Sequence, residues 1–307
     1  MIEVRELTKS FGSLKAVDSL SFDIQRGEIF GIVGPDGAGK STLLNIMSTI
    51  LQPDRGSISM QGRDIFRDTY GIKENLAYMP QRFGLYEDLS VEENMQFFGK
   101  LFGVSRTEIG QRMEKLFAFS QLGPFRDRLA GNLSGGMKQK LGLACSLIHS
   151  PDVILLDEPT NGVDPVSRRE FWKILYDLLG DGVTIVVSTA YLDEAERCNR
   201  VALMFEGRFI ISGKPGEIKK SVGRDFVELK TSNPRHTEML LRRDEEYKGI
   251  IMTGSTLRLF VDSVSRCKKR IPALLKREGI RVLEIREKLP TLEDCFVDIV
   301  SRDAASL

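Results

Sequence analysis

The sequence predicts an α/β protein, with a mostly parallel, doubly wound sheet, an antiparallel β subdomain, a helical subdomain and a small C-terminal α+β accessory domain. Three observations lead there. Apolar runs of strand length alternate with stretches of helical period. The β signals vanish between about Ser90 and His149. A break at Gly213-Lys214-Pro215-Gly216 sets off a tail with its own strand and helix pattern.

In chain order, Ile2 to Leu7, Leu20 to Gln25 and Ser57 to Met60 alternate apolar and polar residues, as half-buried strands do. Glu28 to Val33 reads as a strand buried on both faces, followed by a glycine-rich turn and a helix from Gly39 to about Ile50. Val91 to Phe102, Ile109 to Phe119 and Met137 to Ile148 read as helices, a subdomain of about 90–149 inserted between two strands. Asp152 to Leu156 and Val183 to Val187 are two more buried strands. Between them Phe171, Leu175 and Leu178 keep helical spacing over Arg168 to Leu179. Val201 to Phe205 and Arg208 to Ile211 form a hairpin about Glu206-Gly207. The tail reads as strand 226–230, helix 236–244, strands 249–253 and 256–261, helix 265–278, strand 281–286 and a helix from Leu292. That is a βαββαβα order, and the chain divides into domains 1–214 and 215–307.

Composition bounds the function. Of 307 residues, 41% are hydrophobic and 28% charged, which is globular rather than disordered. Lys+Arg at 44 against Asp+Glu at 43 leaves a net charge of +1, so no bulk field favours a nucleic-acid partner. Cys145, Cys198, Cys267 and Cys295 lie far apart with no C-x-x-C pair, which disfavours zinc sites and disulfide frameworks. No apolar run reaches the roughly 18 residues of a membrane helix, and MIEVRELTKS has no apolar h-region. The expectation is a soluble, cytoplasmic chain that meets a membrane only through a partner.

The chemistry begins at Gly34-Pro35-Asp36-Gly37-Ala38-Gly39-Lys40-Ser41, which fits G-x-x-x-x-G-K-[ST] between a buried strand and a helix. Glycines let successive backbone N–H groups turn inward toward phosphate oxygens, and the helix N-terminus adds its positive end. Lys40 would place a cation on the β/γ-phosphates and Ser41 a hydroxyl on Mg²⁺, with Thr42 completing the cradle. Val153 to Glu158 is a buried strand ending in two carboxylates at the edge where parallel sheets bind ligands. Asp157 would hold Mg²⁺ through water and Glu158 would polarise the attacking water.

Leu133-Ser134-Gly135-Gly136-Met137, lying between those two motifs, resembles the signature loop of ABC-type ATPases. The resemblance covers Ile2 to about Gly213 closely and the tail more loosely. It implies a P-loop NTPase fold of ABC ATPase type with ATP and Mg²⁺ as ligands. It also implies a head-to-tail dimer with a second ABC ATPase subunit, a homodimer or a heterodimer, in which the signature loop is donated to the partner's nucleotide. From the residues alone, Ser134 caps a helix whose first N–H groups two glycines leave bare. Phe11 lies where the family stacks an aromatic ring on adenine, or is a core aromatic between strands. Gln81 resembles the loop glutamine that reaches Mg²⁺ and senses the membrane subunit; an exposed loop residue is the alternative. Asp164 resembles the aspartate loop that crosses the dimer interface, although a simple turn would use the same residues.

Gln81 to Ser90, Gly136 to Lys140 and Leu192 to Ala195 resemble drug and polysaccharide exporters with ABC-2 type membrane subunits, and Pro290 to Phe296 the end of their accessory domain. Gly34 to Gly37 with Leu129 to Leu133 is similar to the first ATPase half of tandem multidrug-export subunits, which work with ABC-2 permeases and a membrane-fusion protein. The place implied is peripheral, on the cytoplasmic face of the inner membrane.

Two departures stand out. Ala190 occupies the position of the family's switch histidine, and losing such a preorganised polar contact typically costs about 10²–10³ in rate. Neither His149, placed at the end of the signature helix where a cation suits the dipole, nor His236 is positioned to substitute. Asp36 stands where most relatives have Asn; a solvent-facing turn residue is the simpler reading. The expectation is ATP-driven clamp closure with a slow site on this chain. Segment 90–132 and the Gln81 loop would pass the motion to the permease. The alternatives are a non-catalytic ATP-dependent clamp subunit and a soluble ABC ATPase outside transport.

Overall fold

The computed structural model describes residues 1–82, 84–221, 223–244, 247 and 250–303. Phe83 of the Gln81 loop, Gly249 at the start of one expected strand, and the last residues of the expected second domain lie outside them. The chain forms two compact units, Met1–Glu194 with Cys198–Phe209, and Ala195–Arg197 with the residues from Ile210 on.

In the first unit, β1 (Ile2–Phe11) and β2 (Leu14–Ile24) form an antiparallel hairpin. Ile2 and Val4 face inward; a register shift at Glu6, whose φ is 46°, brings Leu7 onto the same buried face. β3 (Ile29–Val33) is buried at every position and runs through the glycine loop into α1 (Lys40–Met47). β4 (Arg55–Met60) and β5 (Arg63–Asp64) complete an antiparallel sheet of order β2-β1-β4-β5. α2 (Thr69–Glu74) leads to β6 (Leu76–Met79).

The helical subdomain follows as α3 (Val91–Leu101), α4 (Arg106–Ser120), two single 3₁₀ turns and α5 (Gly135–Leu147). Capping boxes start the first two helices: Ser90 accepts from Glu93 N while Glu93 reaches back, and Ser105 and Glu108 repeat the arrangement. Val91, Met95, Ile109, Met113, Phe117, Leu141 and Ile148 form its core. β7 (Val153–Asp157), α6 (Pro165–Gly180), β8 (Thr184–Thr189), α7 (Leu192–Ala195), β9 (Arg200–Phe205) and β10 (Arg208–Gly213) follow. The second sheet has the order β10-β9-β3-β8-β7-β6, and its pairs from β9 to β6 are parallel. Leu43, Leu44 and Met47 of α1 share one core with Ile2 and Val4 and with Leu155 and Val186 of this sheet, so the glycine loop has a rigid base.

The second unit contains α8 (Pro215–Ser221), β11 (Asp225–Thr231), α9 (Pro234–Leu241), β12 (Ile251–Thr253), β13 (Thr256–Val261), α10 (Val264–Arg277), β14 (Val282–Glu287) and α11 (Leu292–Asp303). Its antiparallel sheet of order β12-β13-β11-β14, with α9 and α10 as crossovers, is a ferredoxin-like split βαβ arrangement. Val227, Leu229, Leu257, Leu259, Ile271 and Leu275 fill its core. Asp294 in α11 is fully buried and held by Arg258 at 2.6 Å and by Thr291 Oγ1 at 2.7 Å. All four cysteines are buried, and none of them forms a disulfide. Among the described residues no helix is long and apolar enough to cross a membrane.

Candidate nucleotide site

The site lies at the C-terminal ends of β3, β7 and β8, where a parallel sheet leaves strand ends open to a ligand. The loop after β3 is tight for a steric reason. A methyl group on Gly34 would lie 2.1 Å from Met204 O, and one on Gly39 would lie 2.0 Å from Ala16 O. Gly37 and Gly39 have φ of 80° and 106°, the left-handed region that glycine tolerates. Gly34, Ala38 and Lys40 are buried, while Asp36 and Gly37 face solvent. Asp36 is therefore a turn residue at the rim, as its simpler reading expected.

Lys40 Nζ donates to Gly34 O at 2.9 Å and Pro35 O at 3.0 Å, and pairs with Glu158 Oε1 at 3.0 Å. Ser41 Oγ donates to Asp157 Oδ1 at 3.1 Å, and Ser188 Oγ donates to the same oxygen at 2.5 Å. Tyr78 lies beside that carboxylate with its hydroxyl bonded to Asn45 Oδ1 at 3.0 Å; burial first, then the Asp157 charge, pushes the phenol pKa upward. Glu158 has φ of 48°, and its N–H is held by Ser188 O and Ser188 Oγ. Its Oε2 accepts from Gln81 Nε2 at 3.0 Å and from Asn161 Nδ2 at 3.1 Å.

A cavity of about 500 Å³ opens over these groups, lined by Phe11, Ala16, Asp36, Gly37, Lys40 and Gln81 among others. Phe11 is 52% exposed at its edge, so the alternative of a core aromatic between strands is corrected: β1 ends there and leaves the ring outside the sheet interior. Gln81 is an exposed loop residue, as the alternative had it, and its amide also meets Glu158. Among the described residues no group of three or more His, Cys, Asp and Glu could hold a metal. The Ser41 hydroxyl, the Asp157 carboxylate and the Gln81 side-chain carbonyl are hard oxygen donors, a set that suits Mg²⁺ shared with phosphate oxygens.

The glycine-rich segment at Leu133 to Met137 opens α5, with Ser134 Oγ accepting from Met137 N at 3.3 Å. Gly135 is exposed, whereas Gly136 is buried against α6, where a methyl group would sit 2.5 Å from Ser167 Cβ. Asp164 is an exposed N-cap, accepting from Val166 N and Ser167 N at 3.0 Å, and those bonds hold its carboxyl below the usual range. Ala190 is exposed at the end of β8. His149 is at the opposite end of β6, stacked 4.1 Å from Phe102 and bonded to Leu76 O at 3.3 Å. Burial lowers its pKa, so the expectation of a cation there is corrected: desolvation outweighs the helix end.

Ser188 and Asn161 have no signal in the motifs, whereas Tyr191 is visible in the sequence as the neighbour of Ala190, with a side chain expected to point a different way on an extended loop. Ser188 lies just past an apolar run, and Asn161 just past the paired carboxylates, so only proximity in sequence hinted at them.

Comparison with known proteins gives one family. The family described as ABC transporter matches residues 17–161. The chain is 41% identical over 307 residues to the probable multidrug ABC transporter ATP-binding protein YbhF of Escherichia coli (strain K12), covering 98% of this chain and 52% of that protein. It therefore spans about half the length of that relative. It is 35% identical over 304 residues to the Nod factor export ATP-binding protein I of Burkholderia lata, covering 98% of this chain and 97% of that one. Among solved structures, the dimeric ATP-binding cassette MJ0796 in a post-hydrolysis state with ADP and Pi superposes with TM-score 0.63 at 26% identity, over 70% of this chain and 98% of that one.

Proposed function

The chain belongs to the ABC transporter ATP-binding family, and from that premise we propose that it binds and hydrolyses ATP to power an ABC-2 type membrane exporter. The observation that carries this reading is the convergence of Lys40, Ser41, Glu158 and Gln81 on one cavity edged by Phe11, with Asp157 bonded to Ser41 beside it. Lys40 would neutralise the β/γ-phosphates, the loop N–H groups would cradle them, and Phe11 would stack on adenine. Mg²⁺, held by Ser41, Asp157 and Gln81, would neutralise charge developing on the phosphates. Glu158 would accept the proton of the attacking water. Because that carboxylate pairs with Lys40 at 3.0 Å, an incoming phosphate has to displace it.

Two such subunits would sandwich ATP, each lending Ser134 to Met137 and the Asp164 loop to the other. The dimer of MJ0796 supports that arrangement. The names of the relatives, multidrug and Nod factor export, favour an exporter, with drugs or other hydrophobic compounds as its cargo. Residues 1–214 would be the ATPase domain and the remainder an accessory domain, the whole peripheral to the inner membrane, with a membrane-fusion protein in the same assembly.

With Ala190 in place of an imidazole, the site on this chain would turn over slowly. The test is ATP binding and turnover by the purified chain, alone and mixed with its second ATPase. We expect binding with slow turnover alone, and faster turnover after Ala190→His. A robust rate alone, abolished by Glu158→Gln, would overturn the slow site. Binding with no turnover in any pairing would leave the ATP-dependent clamp, which Ala190 itself favours.

A further inference from the structure

At position 190 a solvent-facing methyl group can orient nothing, yet the neighbouring side chain is held with care. The Tyr191 ring lies under the Arg168 guanidinium, 4.2 Å from its centroid. Arg168 in turn is anchored by the fully buried Glu194 at 3.3 Å, and Glu194 accepts from Thr160 at 2.6 Å and Thr189 at 2.9 Å. Tyr191 N donates to Thr189 Oγ1 at 3.0 Å, so backbone and ring are fixed together.

From that position the Tyr191 hydroxyl donates to Asn161 Oδ1 at 3.4 Å, and Asn161 Nδ2 donates to Glu158 Oε2 at 3.1 Å. The amide has two unlike ends. With the phenol donating to its oxygen, its NH₂ is turned to the carboxylate; a flipped amide would set oxygen against oxygen. We propose that Tyr191 is a positioning residue for ATP hydrolysis, its hydroxyl fixing the Asn161 amide so that this amide and Gln81 together hold Oε2 of Glu158.

The proposal rests on Glu158 being the general base in the ATPase reading above. It assigns to Tyr191 and Asn161 the orienting part of what an imidazole at position 190 would do. A neutral phenol supplies no positive charge to a γ-phosphate, so the relay is compatible with slow turnover. A long hydrogen bond of this kind is expected to tighten when the site closes on substrate.

The test uses the full chain paired with its second ATPase, with turnover read from the site on this chain. Tyr191→Phe keeps the ring under Arg168 and removes only the hydroxyl. We expect it to lower kcat about fivefold to tenfold with KM and ATP affinity within twofold of wild type. Asn161→Ala should do at least as much. Because Tyr191 acts through Asn161, the double variant should be no slower than Asn161→Ala alone. Unchanged kcat in Tyr191→Phe, or effects that multiply in the double variant, would overturn the relay while wild-type turnover kept the ATPase reading. Absence of wild-type turnover in any pairing would overturn both.

Discussion

Ser188 shows how much rests on single side chains. Its hydroxyl donates to Asp157 and accepts from Glu158 N, so one residue sets two consecutive carboxylates. Glu158 also carries a left-handed φ of 48°, a conformation costing a non-glycine residue about 1–2 kcal/mol. Ser188→Ala is expected to destabilise the chain by about 1–3 kcal/mol in urea unfolding, and to lower ATP turnover more than ATP affinity. The apolar run Val183 to Val187 ends one residue short of it, so the run by itself does not mark Ser188 as strand. The ladder continues through Ser188 and Thr189, whose hydroxyls are satisfied by Asp157 and Glu194. The glycine loop and the paired carboxylates were legible because their composition is dictated by close backbone approach and by charge. Asn161 was not, since an amide signals nothing until its partners are in place, and Tyr191 was legible only as the neighbour of Ala190. His149 makes a separate prediction. Its pKa is lowered below the ordinary value of 6.5 by burial, so the unfolded chain binds that proton more readily. The stabilising contribution is full above about pH 6.5 and is lost as pH falls toward the lowered value. Thermal unfolding between pH 7.5 and 5.5 should therefore fall less steeply with acid in His149→Phe, which retains a ring against Phe102.

Among the elements, α5 links the glycine-rich segment to the body of the first unit. Gly136 in its first turn has Ser167 of α6 against it. Gly136→Ala would force the two helices apart, for an expected loss of about 1–3 kcal/mol in urea unfolding; Gly135→Ala, with nothing nearby, should cost less. Long helices with serine N-caps were readable to within a few residues: Val91–Leu101 against an expected end at Phe102, and Val264–Arg277 against 265–278. Shorter ones were not. β5 has two residues and α2 has six, too few for any period to show. α8 was hidden because Gly213-Lys214-Pro215-Gly216 reads as a turn, while proline also serves as the first residue of a helix.

At the scale of the whole molecule, each unit has its own core, the first around α1 and the helical subdomain, the second around the ferredoxin-like sheet. From β11 on, the order of the tail's elements was legible, since strands of the second unit alternate with strongly amphipathic helices; which strand lies beside which was not, because pairing is set by long-range packing. Leu229→Ala, deep in the second core, is expected to destabilise that unit by about 2–5 kcal/mol in calorimetry while ATP affinity measured by titration stays unchanged. The four cysteines are distributed over both units, and every one is inside. Burial raises the thiol pKa of Cys145 and Cys198, and pushes that of Cys295 up to about 12. A maleimide dye or a bifunctional cross-linker would thus find the unaltered protein nearly silent. A single cysteine engineered onto an outer loop could then report distances within the proposed dimer during the ATP cycle, without first stripping the native sulfurs.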